Sequence, residues 1–219
     1  MVDFFDEIED ELREERMHEL LKKYGGVLFA GALLVIAAVG GWKAWGWYQE
    51  RQDLDVAGLY LGAAARTEAA GVAGPNRVIA IAAFDTTAAR APEGYRVLAR
   101  LHDAALRADS GDLQGASALW DQVAADGSAD PLLRDLASLT WCLYNADKGD
   151  PSLLEGRLKP LAAPDNAWRE LAQEQLALLA LRQGHTDAAR TQLKKLVEDT
   201  TAPDGVRGRA GALLDRVGE

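Results

Sequence analysis

The sequence predicts an all-α protein in three parts: an acidic N-terminal tail (1–23), one transmembrane helix (24–48), and a stack of antiparallel helix pairs (49–219). Three observations lead there. Leucine and alanine dominate while β-branched residues are scarce, which favours helix over sheet. The stretch Tyr24 to Trp42 runs for nineteen residues without a charge. Further on, glycines recur at one place in successive helix–turn–helix patterns.

The tail reads as a helix over 3–23, with Phe4, Phe5, Ile8, Leu12, Met17, Leu20 and Leu21 in a loose apolar stripe. Its acids between Asp6 and Glu11 suit a helix N-terminus, and Lys22 and Lys23 suit the C-terminus. This stripe is either a cytoplasmic docking helix or part of a solvated tail. Gly25-Gly26 then marks a bend into the span.

At about 1.5 Å per residue the uncharged stretch covers roughly 28 Å, close to the hydrocarbon thickness of a bilayer. Lipid offers the backbone no hydrogen bonds, so the segment has to be helical. Lys22 and Lys23 bracket it on one side and Lys43 on the other, while Trp42, Trp45, Trp47 and Tyr48 cluster at the far end. Amphipathic rings favour the headgroup layer, and a lysine among them can snorkel. A buried core helix explains neither the brackets nor the one-ended aromatic cluster. Ala38-Val39-Gly40 could serve a signal peptidase, but the preceding 23 residues carry nine acids against four bases, unlike a basic leader. Arg13, Arg16, Lys22 and Lys23 precede the span, against Lys43 and Arg51 after it. That bias puts the N-terminus in the cytoplasm and residues 49–219 outside it.

The net charge of −10 divides as −5 over 1–23, +1 over 24–48 and −6 over 49–219, where 25 acids face 19 bases. An acidic exported domain excludes nucleic acid, whose phosphates need a basic face. Cys142 is the one cysteine, so no intramolecular disulfide can staple the fold and an apolar core must hold it.

Helical patterning continues past Tyr48 through Leu54, Leu59 and Leu61 to Ala70, and Gly71 to Pro75 breaks it. Then Gly111, Gly149 and Gly184, spaced 38 and 35 residues apart, fall in helix–helix turns. Counting forward by 5, 9 and 12 gives Ala116, Trp120 and Val123, then Leu154, Leu158 and Leu161, then Ala189, Leu193 and Leu196, all apolar. This pattern resembles tetratricopeptide repeats, which place a turn glycine between two helices and a small, a large and another apolar residue at these offsets. Leu176, Ala177 and Ala180 fit the resemblance before Gly184. The stripes Leu101, Ala104, Ala105, Ala108 and Leu139, Cys142, Leu143, Ala146 lie one residue nearer their glycines. A weaker earlier unit places Ala80, Phe84 and Pro92 at matching offsets, and residues 206–217 form a terminal helix able to cap the stack.

An acid-rich tail, Lys22-Lys23-Tyr24-Gly25 before the span, Gly41-Trp42-Lys43-Ala44-Trp45 leaving it and degenerate repeats together resemble the bacterial YfgM-like family. The resemblance implies a single-pass inner-membrane protein with a periplasmic repeat domain. It also implies an ancillary role at the SecYEG translocon and association with the chaperone PpiD. A scaffold in cell-division or outer-membrane assembly machinery is the alternative within the same plan.

Catalytic chemistry is not legible. His18, His102 and His185 stand on different segments without a second ligand at metal spacing, and His102 faces out of or flanks its helix stripe. Cys142 sits among core leucines, and the run Asp6 to Glu11 lacks the alternation and glycine of a calcium loop. Gly71-Val72-Ala73-Gly74 is followed by no lysine, so it cradles no phosphate. The chain is read as a non-enzyme without metal, cofactor or small-molecule substrate. The first helices of the units (95–109, 132–147 and 168–183) carry more apolar residues than one face can bury. Trp141, Tyr144, Leu178 and Leu181 are therefore the candidate partner groove. The rival occupant of that groove is the helix over 49–70, through Leu54, Leu59 and Leu61.

Overall fold

A computed structural model describes residues 3–69 and 75–218. Among them are nine helices: α1 (Asp3–Ala69), α2 (Pro75–Arg90), α3 (Glu93–Asp109), α4 (Leu113–Ala124), α5 (Pro131–Asn145), α6 (Pro151–Leu161), α7 (Arg169–Arg182), α8 (Thr186–Glu198) and α9 (Asp204–Gly218). The all-α expectation holds. Contacts divide the chain into one unit over Met1–Leu54 and a second over Asp55–Glu219. The side chains of the apolar stripe expected from Phe4 to Leu21, of His18 and of Lys23, and the loop 71–74, lie outside what the structure describes.

In the first unit α1 passes through Gly25 and Gly26 without interruption of its helix. Glycine costs a helix about 1 kcal/mol relative to alanine, which weakens a turn without ending it when its hydrogen bonds have no competitor. Phe29–Tyr48 is long and apolar enough to cross a membrane, and none of it is buried in the protein.

In the second unit each helix packs on the next in sequence, α2 on α3 through α8 on α9. In addition α3 lies close to α5, α5 to α7, and α7 to α9, whereas the backbones of α4, α6 and α8 do not approach one another as closely among the described residues. The odd-numbered helices therefore make one closely spaced layer and the even-numbered helices make the other.

The sequence explains both layers. All nine positions 5, 9 and 12 residues beyond the turn glycines are buried, none more than 3 % exposed. Trp120, Leu158 and Leu193 occupy the large slot of α4, α6 and α8. On the odd-numbered helices the common register is 12 and 7 residues before the glycine: Ala99, Ala137 and Ala172, then Ala104, Cys142 and Ala177. All six are buried. The one-residue discrepancy between units expected from the sequence thus disappears. It arose because these helices bury two faces, and the larger residues chosen for the stripe sit between them. Small side chains at the shared positions let neighbouring helices approach closely.

Turn chemistry fixes the ends. Gly111 and Gly184 have φ of 91° and 79°, where a side chain is strained. Gly149 is needed for space instead, since a Cβ there would lie 2.7 Å from the carbonyl oxygen of Asn145. Asp112, Asp130 and Asp150 cap α4, α5 and α6 by accepting the amide protons of Gly115, Leu132 and Leu153 at 2.8–2.9 Å. Pro131 and Pro151 open α5 and α6, where no amide proton is missed. At the C-terminal end α9 packs on both α7 and α8, with Val206 and Ala210 buried, and closes the stack.

Truncating the large slot should leave cavities. Trp120→Ala should cost about 3–5 kcal/mol, and Leu158→Ala or Leu193→Ala roughly 2–5 kcal/mol. Exposed Leu61 replaced by alanine should change stability by less than about 0.5 kcal/mol. Thermal melts of the four variants measure this, and equal melting points would contradict the packing register.

Candidate protein-interaction site

The residues expected at a membrane interface lie along α1. Trp42, Trp45, Trp47 and Tyr48 are all exposed, as are Lys22 and Lys43. Helical spacing makes Trp42, Trp45 and Tyr48 successive neighbours along one side of the helix and turns Trp47 away from them. The Arg51 guanidinium lies 4.0 Å from the centre of the Trp47 ring, a cation–π contact one turn further along α1.

The four groove candidates on the stack separate. Trp141 is buried in the main core under the guanidinium of Arg157, 4.1 Å from its ring centre. Its place is structural, because α4, α5 and α6 close around it. Tyr144 is partly exposed; its ring tilts on Trp120 at 5.0 Å and its hydroxyl donates to Asp109 at 3.0 Å. Leu181 is half-buried. Leu178 is half-buried and lines a cleft of about 190 Å³ between α5, α6 and α7. Cys142, Leu154 and Leu158 lie deepest in it, with Ala146, Leu178 and Leu179 as further apolar walls. Asp147, Gln175 and Arg182 supply its polar groups. Arg182 donates to the carbonyl oxygens of Ala146 and Gly149, the latter at 2.6 Å, and so closes the C-terminal end of α5.

The helix beyond the span does not fill this cleft. Leu54, Leu59 and Leu61 are exposed. Instead Tyr60, Ala63 and Ala64 pack against Ala80 and Phe84 of α2 and Ala99 and Leu106 of α3. The small residues of that face, rather than its leucines, match a close helix contact. His102 is exposed at the flank of the buried stripe of α3, as expected, and its ring stacks on Phe84 at 5.2 Å and meets Tyr60 edge-on at 5.7 Å. Partial burial there lowers its pKa from the ordinary 6.5. His185 is exposed at the start of α8.

Two buried carboxylates escaped the sequence reading. Asp103 is 1 % exposed and accepts from Arg107 one turn later at 2.8 Å; burial raises its pKa against the pull of that arginine. The spacing of four residues could have revealed this pair. Glu174 is 4 % exposed and accepts two hydrogen bonds from Arg209, at 2.7 and 2.6 Å, across 35 residues of sequence. No local signal announces it. Further ties span one repeat length: the Trp168 indole donates to the Leu132 carbonyl at 3.1 Å, and Arg157 pairs with Asp121 at 2.7 Å.

Cys142 is buried, and burial pushes its thiol up to about 11. Among the described residues no cluster of three or more His, Cys, Asp or Glu could hold a metal. Stacked helix pairs with an apolar cleft between units define a helical-repeat protein-interaction scaffold. A family model described as a tetratricopeptide repeat-like domain matches residues 18–153, more than half of the chain, and the chain belongs to that family. The match begins within α1 and ends in α6, so the unit around Gly184 lies beyond it. No curated protein and no solved structure matches.

Arg209→Ala strands the buried Glu174 carboxylate and should destabilise the second unit by about 1–3 kcal/mol. Replacing both partners with leucine and methionine should recover most of that loss, because apolar side chains leave no charge unpaired. Urea unfolding midpoints of the single and double variants test the pair. At pH 8 a thiol with a pKa near 11 is ionised on the order of one part in a thousand. Cys142 should therefore react with a maleimide only after denaturation, as read by mass spectrometry.

Proposed function

We propose that the chain is a non-catalytic, single-pass interaction module of the bacterial inner membrane. In this reading residues 1–23 face the cytoplasm, the span is retained, and the repeats stand in the periplasm. The observation that carries it is the family match, which runs from residue 18 through the apolar stretch into the repeats. That one family model covers both the apolar stretch and the first repeats supports reading them together as an anchor and its scaffold. The Gly41-Trp42-Lys43-Ala44-Trp45 exit further supports a YfgM-like role, as an ancillary SecYEG subunit that brings periplasmic chaperones of the PpiD type to the channel. The acidic repeat domain and the lone buried cysteine suit a scaffold that holds its form without disulfides in an oxidising compartment.

Protease added to spheroplasts should digest the repeats and leave a membrane-retained fragment carrying the N-terminal tail. Protection of the repeats would reverse the topology, and a soluble chain beginning after Gly40 would replace the anchor with a signal peptide. A photo-crosslinker placed at Leu178 or Tyr144 should capture translocon or chaperone subunits. Capture of division or outer-membrane assembly proteins would move the module to another envelope complex.

A further inference from the structure

We infer that α9 is a releasable cap: it opens as a unit while α2 to α8 stay folded, and its opening uncovers the apolar end of the stack formed by α7 and α8.

Glycine placement carries the inference. Gly205, Gly208 and Gly211 recur at three-residue intervals in the first part of α9, whereas no helix from α2 to α8 carries more than one glycine. Packing does not ask for the two interior ones. A Cβ added at Gly208 would meet nothing within 4 Å, and at Gly211 it would meet a Val197 methyl at 4.0 Å, an ordinary contact. The backbone does not ask for them either, since among the described glycines only Gly111 and Gly184 have positive φ. A glycine inside a helix lowers the helix equilibrium constant roughly fivefold relative to alanine, because it has more backbone freedom to lose. The sequence thus weakens α9 at positions where alanine would fit.

The hold on α9 is correspondingly local. It packs on α7 and α8 alone among the described residues, and its other side leaves Gly208, Ala212, Asp215 and Arg216 exposed. Val206 and Ala210 are its buried side chains, against five on α3 and four on each of α5 and α7. The Arg209 pair offers little resistance to release. Arg209 is already exposed, and once α9 leaves, the Glu174 carboxylate regains water instead of standing buried and alone. The pair therefore fixes where α9 reseats more than it opposes opening.

What release uncovers is apolar. Ala177, Leu193 and Leu196 form one buried cluster with Val206 and Ala210. Leu193 and Leu196 hold the register of Trp120 and Val123 and of Leu158 and Leu161, each followed by a complete helix pair. Beyond α8 the single helix α9 stands in that place. Its opening gives up only the last interface of a stack whose units contribute separately, so it lies below global unfolding.

Native-state hydrogen exchange of the full chain in phosphatidylcholine nanodiscs at pH 7, resolved by mass spectrometry of overlapping peptides, tests the cap. Amides over 208–214 should share one protection factor, roughly tenfold or more below those inside α7 and α8. Gly208→Ala with Gly211→Ala adds helix propensity at open positions and should raise protection in α9 roughly twentyfold, leaving α3 to α5 unchanged. Protection that falls off only toward Gly218 would mark end fraying and overturn the proposal. Protection of α9 equal to that of α7, or a double variant that leaves α9 unchanged, would overturn it too. So would a double variant that slows exchange through the whole stack, because α9 would then open only with its neighbours.

Discussion

Close approach of the odd-numbered helices is the constraint on which the repeat domain depends. Ala99, Ala137 and Ala172, with Ala104, Cys142 and Ala177, give α3, α5 and α7 faces without long side chains. Each of these helices can then touch the next odd-numbered helix as well as its own partner. No single helix pair could bury Trp120, Leu158 or Leu193 alone; each needs the neighbouring unit to cover it. Stability in such a stack is a sum over units and their interfaces, which is why a terminal helix such as α9 matters.

Polar contacts that span one repeat add register to this apolar packing. Arg182 reaching Ala146 at the end of α5, Trp168 reaching Leu132 and Tyr144 reaching Asp109 each cross 35 or 36 residues of sequence. A slip of one unit against the next would break all three. Glu174 with Arg209 uses the same separation to hold α9 on α7, and there the carboxylate is buried, so the wrong arrangement carries an electrostatic cost. These contacts specify which helix follows which more than they add to net stability.

The cleft is where that packing is incomplete. Cys142 repeats the small-residue register of Ala104 and Ala177, but here the neighbouring helix does not fill the space beside it. Function in a repeat scaffold comes from such departures, since a perfectly regular stack presents the same surface in every unit.

The sequence by itself determined the helix content, the apolar stretch with its aromatic end, and the nine even-helix core positions from Ala116 to Leu196. Each depends on local periodicity or on a fixed offset from a turn glycine, and these survive in one dimension. It misjudged the odd-numbered helices, because they bury two faces and no single stripe describes them. Trp141 became core instead of groove, and Leu54, Leu59 and Leu61 stayed in solvent while Tyr60 and Ala63 turned inward. Tertiary structure alone decided the stacking of His102 on Phe84, the pairing of Glu174 with Arg209 and the existence of the cleft. Each joins residues from different helices, and their meeting depends on how closely whole helices approach, a distance that no spacing along the chain encodes.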